Sequence, residues 1–204
     1  LARAGYGEVT AIQRLDNCCK EINRIYPPGS QLTIVSDGTT FSDVVQVDRD
    51  AKEGYKHALR SLTATNNISW ADLSSLLPEL KENRSDDDTR KALVRGIAKG
   101  ARPYQRFIEK VKSDPQQVAM HDKMCSYLYH DINLERFSDD SRDQYLKTIS
   151  DKAYQIMYRG KALNHGLEKA FPHHIRLSVH QYNNAGHKFT ISLSGETSTA
   201  LSPW

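Results

Sequence analysis

The sequence predicts an α/β chain with a helix-rich middle and a C-terminal antiparallel hairpin. Three observations carry that expectation. A helical apolar stripe near the start is followed by a short β-branched run, a charged middle keeps apolar residues at helical spacing, and the tail alternates apolar with polar residues. Residues 8–26 place Val9, Ile12, Leu15, Cys19, Ile22 and Ile25 three and four apart, the spacing of one buried helix face. Tyr26-Pro27-Pro28-Gly29 ends that helix, because proline cannot continue the hydrogen-bond ladder. Gln31 to Ser36 form a β-branched, mostly apolar run that reads as an interior strand. The run stops at the turn signal Asp37-Gly38, and a further helix is expected from Asp50 to Leu62.

In the middle, Leu76, Leu77 and Leu80 precede the polar run Glu82–Asp88, an exposed loop that also offers a cap for a helix over Thr89–Lys99. Ser113-Asp114-Pro115 marks another helix start, after which Val118, Cys125, Leu128 and Ile132 keep one face apolar. A long helix is expected from about Asp140, with Leu146, Ile149, Ala153, Ile156, Met157, Leu163 and Leu167 as its stripe and Pro172 closing it. In the tail, His174 to His180 and Lys188 to Leu193 alternate in polarity around a turn-rich segment, Gln181–His187. A symmetric hairpin would pair Arg176 with Ser192, Ser178 with Thr190 and His180 with Lys188.

Of 204 residues, 28 are Lys or Arg and 25 Asp or Glu, a net charge of +3. That balance is too mild to point to nucleic acid. No run of about 18 apolar residues is present, so no membrane span is expected. The start carries no signal-peptide pattern and no initiator Met, so the chain is expected to begin inside a longer protein. Three cysteines, two of them adjacent, form no disulfide framework and indicate a reducing compartment, the cytoplasm.

Three features have chemical potential. Ser36-Asp37-Gly38-Thr39-Thr40-Phe41-Ser42-Asp43 follows the strand, where open α/β sheets place their ligand crevice. Gly38 would let backbone N–H groups approach an anion, and Asp37 and Asp43 would orient hydroxyls or an ammonium group; an ordinary strand-to-loop turn explains the same residues. Arg176, Ser178 and His180 share the polar hairpin face with Lys188, Thr190 and Ser192, which suits an anionic substrate needing proton transfer, or equally a solvated edge. Arg159-Gly160-Lys161 reads as cations near a helix end, complementing its dipole. The Lys/Arg cluster from Arg90 to Lys112 reads as a solvated helix face. His121 and Cys125 lie one helical turn apart with no second ligand pair, and no nucleophile elbow occurs, so neither a metal centre nor a hydrolase triad is expected.

Two sets of segments, in order, resemble the signature of the isocyanide synthase (pyoverdine/dityrosine biosynthesis) family. The first is Ile25-Tyr26-Pro27-Pro28-Gly29, Ile34 to Asp43 and Val47-Asp48. The second is Met157-Tyr158-Arg159-Gly160-Lys161-Ala162, Phe171-Pro172, Ile175 to His180, Lys188-Phe189 and the closing Ser202-Pro203-Trp204. The Arg-Gly-Lys-Ala form is more similar to fungal members than to bacterial ones. The family's domain normally begins upstream, around a Pro-Phe-Lys-Ser-like segment, and continues past Trp204, so the chain is expected to be one partial domain over 1–204, truncated at both ends, with a helical insertion at about 68–135.

The resemblance implies a Rossmann-like core and an enzyme that turns the α-amine of tyrosine or tryptophan into an isonitrile. Ribulose 5-phosphate would be the co-substrate that supplies the carbon, with no metal or nucleotide cofactor. Some relatives instead make N-formyl tyrosine, and a truncated domain would serve only for ligand binding or interaction. With that chemistry in view, Arg176 and Lys188 would hold a phosphate or carboxylate with Arg159 as a further anion contact, and His180 would be the acid/base. Asp37 and Asp43, with Ser36 and Gly38 in the same motif and Ser178 on the hairpin face, would orient the substrates. Lys188 forming its own Schiff base is a lesser alternative, since the substrate already brings an amine. The partners implied are small molecules, without nucleic acid or membrane, and a downstream oxygenase domain or enzyme.

Overall fold

A computed structural model describes residues 4–64, 68–73, 85–131, 142–178 and 188–191. Helix α1 (Tyr6–Ile25) forms where expected and buries Ile12, Asp16 and Cys19, while Ile22 and Ile25 of the expected stripe are exposed. It begins ahead of the stripe because Glu8 reaches back to accept from the Gly5 N–H at 2.8 Å, satisfying one of the donors a helix start leaves open. Past the prolines, Gly29 takes φ +77°, a conformation glycine adopts without cost, and Ser30 donates through both its N–H and hydroxyl to the Asn23 side chain. Strand β1 (Leu32–Ser36) follows, then a single helical turn, α2 (Gly38–Phe41), helix α3 (Arg49–Thr63) and strand β2 (Ile68–Asp72).

β1 and β2 pair in parallel from Leu32 beside Ile68 to Ser36 beside Asp72, which makes the segment a βαβ unit. β1 was expected in a sheet interior; all five of its residues are only partly buried, and among the described residues β2 is its one neighbour. β2 itself goes unread in the sequence, because five residues of weak alternation are too few to separate a strand from the helical middle around them.

Helix α4 (Asp86–Arg95) starts three residues ahead of the expected Thr89, inside the run read as a loop, and ends at Arg95, short of Lys99. The Ser85 hydroxyl accepts from the Asp88 N–H at 3.2 Å, and three aspartates in the first turn complement the dipole. α5 (Pro103–Ser113) opens with proline at its first position, and α6 (Pro115–Asp131) begins at the expected Asp114-Pro115, with Asp114 accepting from the Gln116 N–H at 2.9 Å. α7 (Arg142–Ala170) is the long helix, stopping just before Pro172. The stretch holding Leu76, Leu77, Leu80 and Glu82-Asn83-Arg84 lies outside the described residues.

The chain divides into two compact units, one drawn from Leu1–Ser36, Arg49–Asp72 and Phe171–Trp204, the other from Asp37–Asp48 and Leu73–Ala170. In the second unit α7 is the common wall of three apolar clusters. Ala162 and Leu163 meet Leu73, Ala92 and Leu93; Ile149 and Ala153 meet Leu128; Tyr154 and Met157 meet Val111.

The C-terminal antiparallel hairpin is overturned. Strands β3 (Arg176–Ser178) and β4 (Lys188–Thr190) run parallel, with Arg176 beside Lys188, Leu177 beside Phe189 and Ser178 beside Thr190. Among the described residues the expected Ser178–Thr190 pair is kept. Period-two alternation assigns side chains to faces and is the same for both directions of pairing, so polarity patterning could not choose between them. Residues 179–187 and Ser192 lie outside the described residues.

Leu128 is fully buried against Ile149 and Ala153. Leu128→Ala should therefore lower the unfolding free energy in urea titration by about 2–5 kcal/mol, whereas a loss under about 1 kcal/mol would be incompatible with this α6–α7 packing.

Candidate functional site

In the second unit, charged side chains from α4 and α7 converge on residues 39–44. A one-turn helix such as α2 leaves nearly all of its carbonyls without intrahelical donors. Arginines supply them here: Arg90 donates from Nη1 to the Thr39 carbonyl at 3.0 Å, and Arg159 from Nη1 to the Thr40 carbonyl at 3.0 Å. Arg159 also grips Asp43 with both ends of its fork, Nη1 to Oδ1 at 2.6 Å and Nη2 to Oδ2 at 3.0 Å. Arg90 Nε stands 3.6 Å from Asp43 Oδ2, and Lys152 donates from Nζ to the Val44 carbonyl at 2.6 Å. The arginine side chains are largely buried, at 14% and 16% exposure, against 39% for Asp43.

Burial by itself pushes the Asp43 carboxyl up, but the hydrogen bonds and charge of Arg159, followed by the charge of Arg90, outweigh it and hold the group below the usual aspartate range. Burial draws the Lys152 ammonium below its ordinary value, with the Asp43 charge opposing. The arrangement is a carboxylate kept ionised in a cationic setting, with rigid helices behind it.

Sequence reasoning named Asp43 and Arg159 without joining them. Arg159 does not sit at a helix end, as expected, but well inside α7, which runs on to Ala170. Arg90 was read as part of a solvated face and is instead directed at α2. Lys152 went unnoticed, although Lys152, Gln155 and Arg159 at i, i+3 and i+7 make a polar stripe beside the apolar one, the signal that would have found it. Asp37 precedes α2 and accepts the Thr40 N–H on its carbonyl at 2.7 Å. Gly38, expected as a loop glycine, opens the helical turn, its carbonyl accepting from the Ser42 N–H at 2.9 Å.

The first unit holds another carboxylate between cations. Ser36 ends β1 beside Asp72, which ends β2; Asp72 pairs with Lys56 at 2.7 Å and with Arg60, both from α3. Burial raises the Asp72 carboxyl, and the hydrogen bonds from Lys56 and Arg60 more than reverse that, leaving it below the usual range. None of these three was a candidate, because β2 was not foreseen; the i, i+4 spacing of Lys56 and Arg60 is the trace they leave in the sequence. In the tail, Arg176 and Lys188 become register neighbours in place of the expected Arg176–Ser192 and His180–Lys188 pairs. Ser178 takes its place in β3, and His180 lies outside the described residues.

His121 links α6 to α7, with Nε2 3.2 Å from the Ser150 hydroxyl, its ring stacked on Tyr154 at 4.0 Å and Cys125 Sγ 3.7 Å from Nε2. Among the described residues no group of three or more His, Cys, Asp and Glu is placed to hold a metal ion, and no helix is long and apolar enough to cross a membrane.

This fold has a counterpart among solved structures. The crystal structure of the PvcA protein from Pseudomonas aeruginosa superposes with a TM-score of 0.78 at 25% identity, covering 94% of this chain and 62% of that one. The sequence profile of the pyoverdine/dityrosine biosynthesis proteins matches residues 3–204, and the chain belongs to that family. Its relatives include the L-tryptophan isonitrile synthase AmbI1 of Fischerella ambigua, 29% identical over 97% of this chain and 60% of that protein. The L-tyrosine isonitrile synthase of Pseudomonas aeruginosa is 24% identical over 100% and 62%. The spore wall maturation protein DIT1 of Saccharomyces cerevisiae is 27% identical over 92% and 40%. The chain thus spans less than two thirds of the length of these relatives.

The Asp43 cluster predicts an acid response. A carboxyl whose native pKa lies below its unfolded value contributes stability that is fully present above about pH 4 and lost as pH falls through the native pKa. Between about pH 5 and pH 3 the wild-type chain should lose more stability than Asp43→Asn, read as urea midpoints, with Asp72 contributing equally to both. Equal acid slopes would be inconsistent with an ionised Asp43 bound to Arg159.

Proposed function

We propose that the chain is the core of an isocyanide (isonitrile) synthase. It would convert the α-amine of tyrosine or tryptophan to an isonitrile, with the ketone carbon of ribulose 5-phosphate as the carbon added. The observation that carries this reading is that two of the family's signature segments, Ile34–Asp43 and Met157–Ala162, are joined by the Asp43–Arg159 fork in a chain that matches the family from residue 3 to 204. The tryptophan and tyrosine isonitrile synthases among its relatives support the substrate class. The βαβ unit of β1, α3 and β2 supports a Rossmann-like core.

Condensing an amine with a ketose phosphate expels water to form an imine; protons then move as the carbon–carbon bonds flanking the transferred carbon break. His180 is the proposed acid/base. Asp37 and Asp43 orient the amine or sugar hydroxyls, with Asp43 held ionised for that task by Arg159 and Arg90. Arg176 and Lys188, adjacent in the β3–β4 register, hold a substrate anion. We place the enzyme in the cytoplasm, with an oxygenase acting on its product. A second reading, an enzyme that forms N-formyl tyrosine, draws on the likeness to the spore wall maturation protein.

Mass spectrometry after incubation with tyrosine or tryptophan and ribulose 5-phosphate tests this. A product heavier than the amino acid by one carbon less two hydrogens is expected; one heavier by a carbon and an oxygen would transfer the assignment to formylation. No product, with ligand still raising the melting temperature, would leave a binding domain. His180→Ala should slow turnover by roughly 10²–10⁴-fold, and a rate within about twofold of wild type would remove His180 from proton transfer.

A further inference from the structure

Helix α1 buries a carboxylate on the side where its packing calls for an apolar residue. Asp16 lies four residues after Ile12 and three before Cys19, so the three share one face, and all three are buried. The Asp16 side chain keeps 7% of its surface exposed. Its Oδ2 pairs with Lys20 at 2.5 Å, whereas Oδ1 is buried and accepts no hydrogen bond. Asp72 and Asp43, the carboxylates of the other two ion-pair clusters, each have a cation at both oxygens. A buried carboxylate needs donors on both oxygens to offset its lost hydration, and Asp16 has one on a single oxygen.

Asp16 lines a groove of about 470 Å³ along α1, within the size range of small-molecule sites. Val9 and Ile12 of α1 and Leu62 of α3 give it apolar walls, and Gln13 and Asn17 line it with amides. Asp16 and Lys20 are its charged lining residues, so the groove is neutral as a whole. We propose that it binds a small organic cation, a primary amine carried on a hydrocarbon body. The ammonium donates to Asp16 Oδ1 in a charge-assisted bond, and the hydrocarbon lies on Val9, Ile12 and Leu62. The aspartate χ2 torsion is soft, so the carboxylate can turn Oδ1 towards the groove its side chain already lines. The Lys20 side chain is 59% exposed, so water takes over its ammonium at little cost. A free amino acid fits worse, because its carboxylate meets only Lys20, which is already bound to Asp16. None of the lining residues belongs to the family's signature segments, and the site does not depend on the isonitrile synthase reading.

Calorimetry at low salt and neutral pH tests the site, with 2-phenylethylamine as the probe and 2-phenylethanol, similar in shape but uncharged, as its control. The amine should bind at least about tenfold tighter than the alcohol, and Asp16→Asn should abolish that preference. Asn17→Trp, a surface change that fills the groove, should weaken the amine about tenfold or more with an unaltered melting curve. Lys20→Met removes the competing cation and should tighten the amine severalfold, while Asp43→Asn should leave its affinity unchanged. No binding of the amine by the wild-type chain, or equal binding of amine and alcohol, would overturn the site. So would wild-type amine affinity in both Asp16→Asn and Asn17→Trp, or an affinity that falls in Asp43→Asn instead.

Discussion

A guanidinium and a carboxylate 116 residues apart in the chain organise the better-packed half of this protein. Arg159 holds both oxygens of Asp43 and, with the same nitrogen, the carbonyl of Thr40. The geometry matters more than the charge. A half-exposed ion pair contributes little by Coulomb attraction, but a planar fork that meets two oxygens and a free carbonyl at once leaves the loop after α2 one way to lie. Thr40, which has no exposed surface, is pinned beneath it. Removing Arg159 would strand a carboxylate and a carbonyl together, which makes the pair costly to break even where it is cheap to form.

The support for that fork is α7. Its apolar side is the wall for three clusters, built with α4, α5 and α6 and with Leu73, Phe41 and Val45. The neighbouring polar stripe of Lys152, Gln155 and Arg159 reaches the segment that follows α2. Packing and polar contacts therefore share one rigid element. A helix locked by Ala153 and Ala162, both at or below 1% exposure, cannot rotate its arginine away without opening the core.

The two units repeat one electrostatic device. Asp72 between Lys56 and Arg60, both from α3, and Asp43 between Arg159 of α7 and Arg90 of α4 are each a carboxylate whose burial is outweighed by two cations. Both carboxyls are held below the usual aspartate range.

The long helices α1, α6 and α7 were legible in the sequence because each carries its own evidence within a few turns: the stripe of α1, the Asp114 cap of α6, the proline after α7; the single turn α2 and helix α5 were not foreseen. Asp43 and Arg159 were legible as residues through the family signature, and the chain's membership follows from that order of segments. What local pattern could not reveal is everything that depends on distant partners. β2 exists as a strand because β1 lies beside it, and the parallel sense of β3 and β4 is invisible to an alternation identical in both directions. Arg90 sits in a run of charges that reads as solvent-facing until α2 is packed against it. Periodicity and capping act over a few residues and are written in the sequence, whereas the pairing of Asp43 with Arg159 and Arg90 was decided only when tertiary packing brought unmet carbonyls and a carboxylate within reach of two helices.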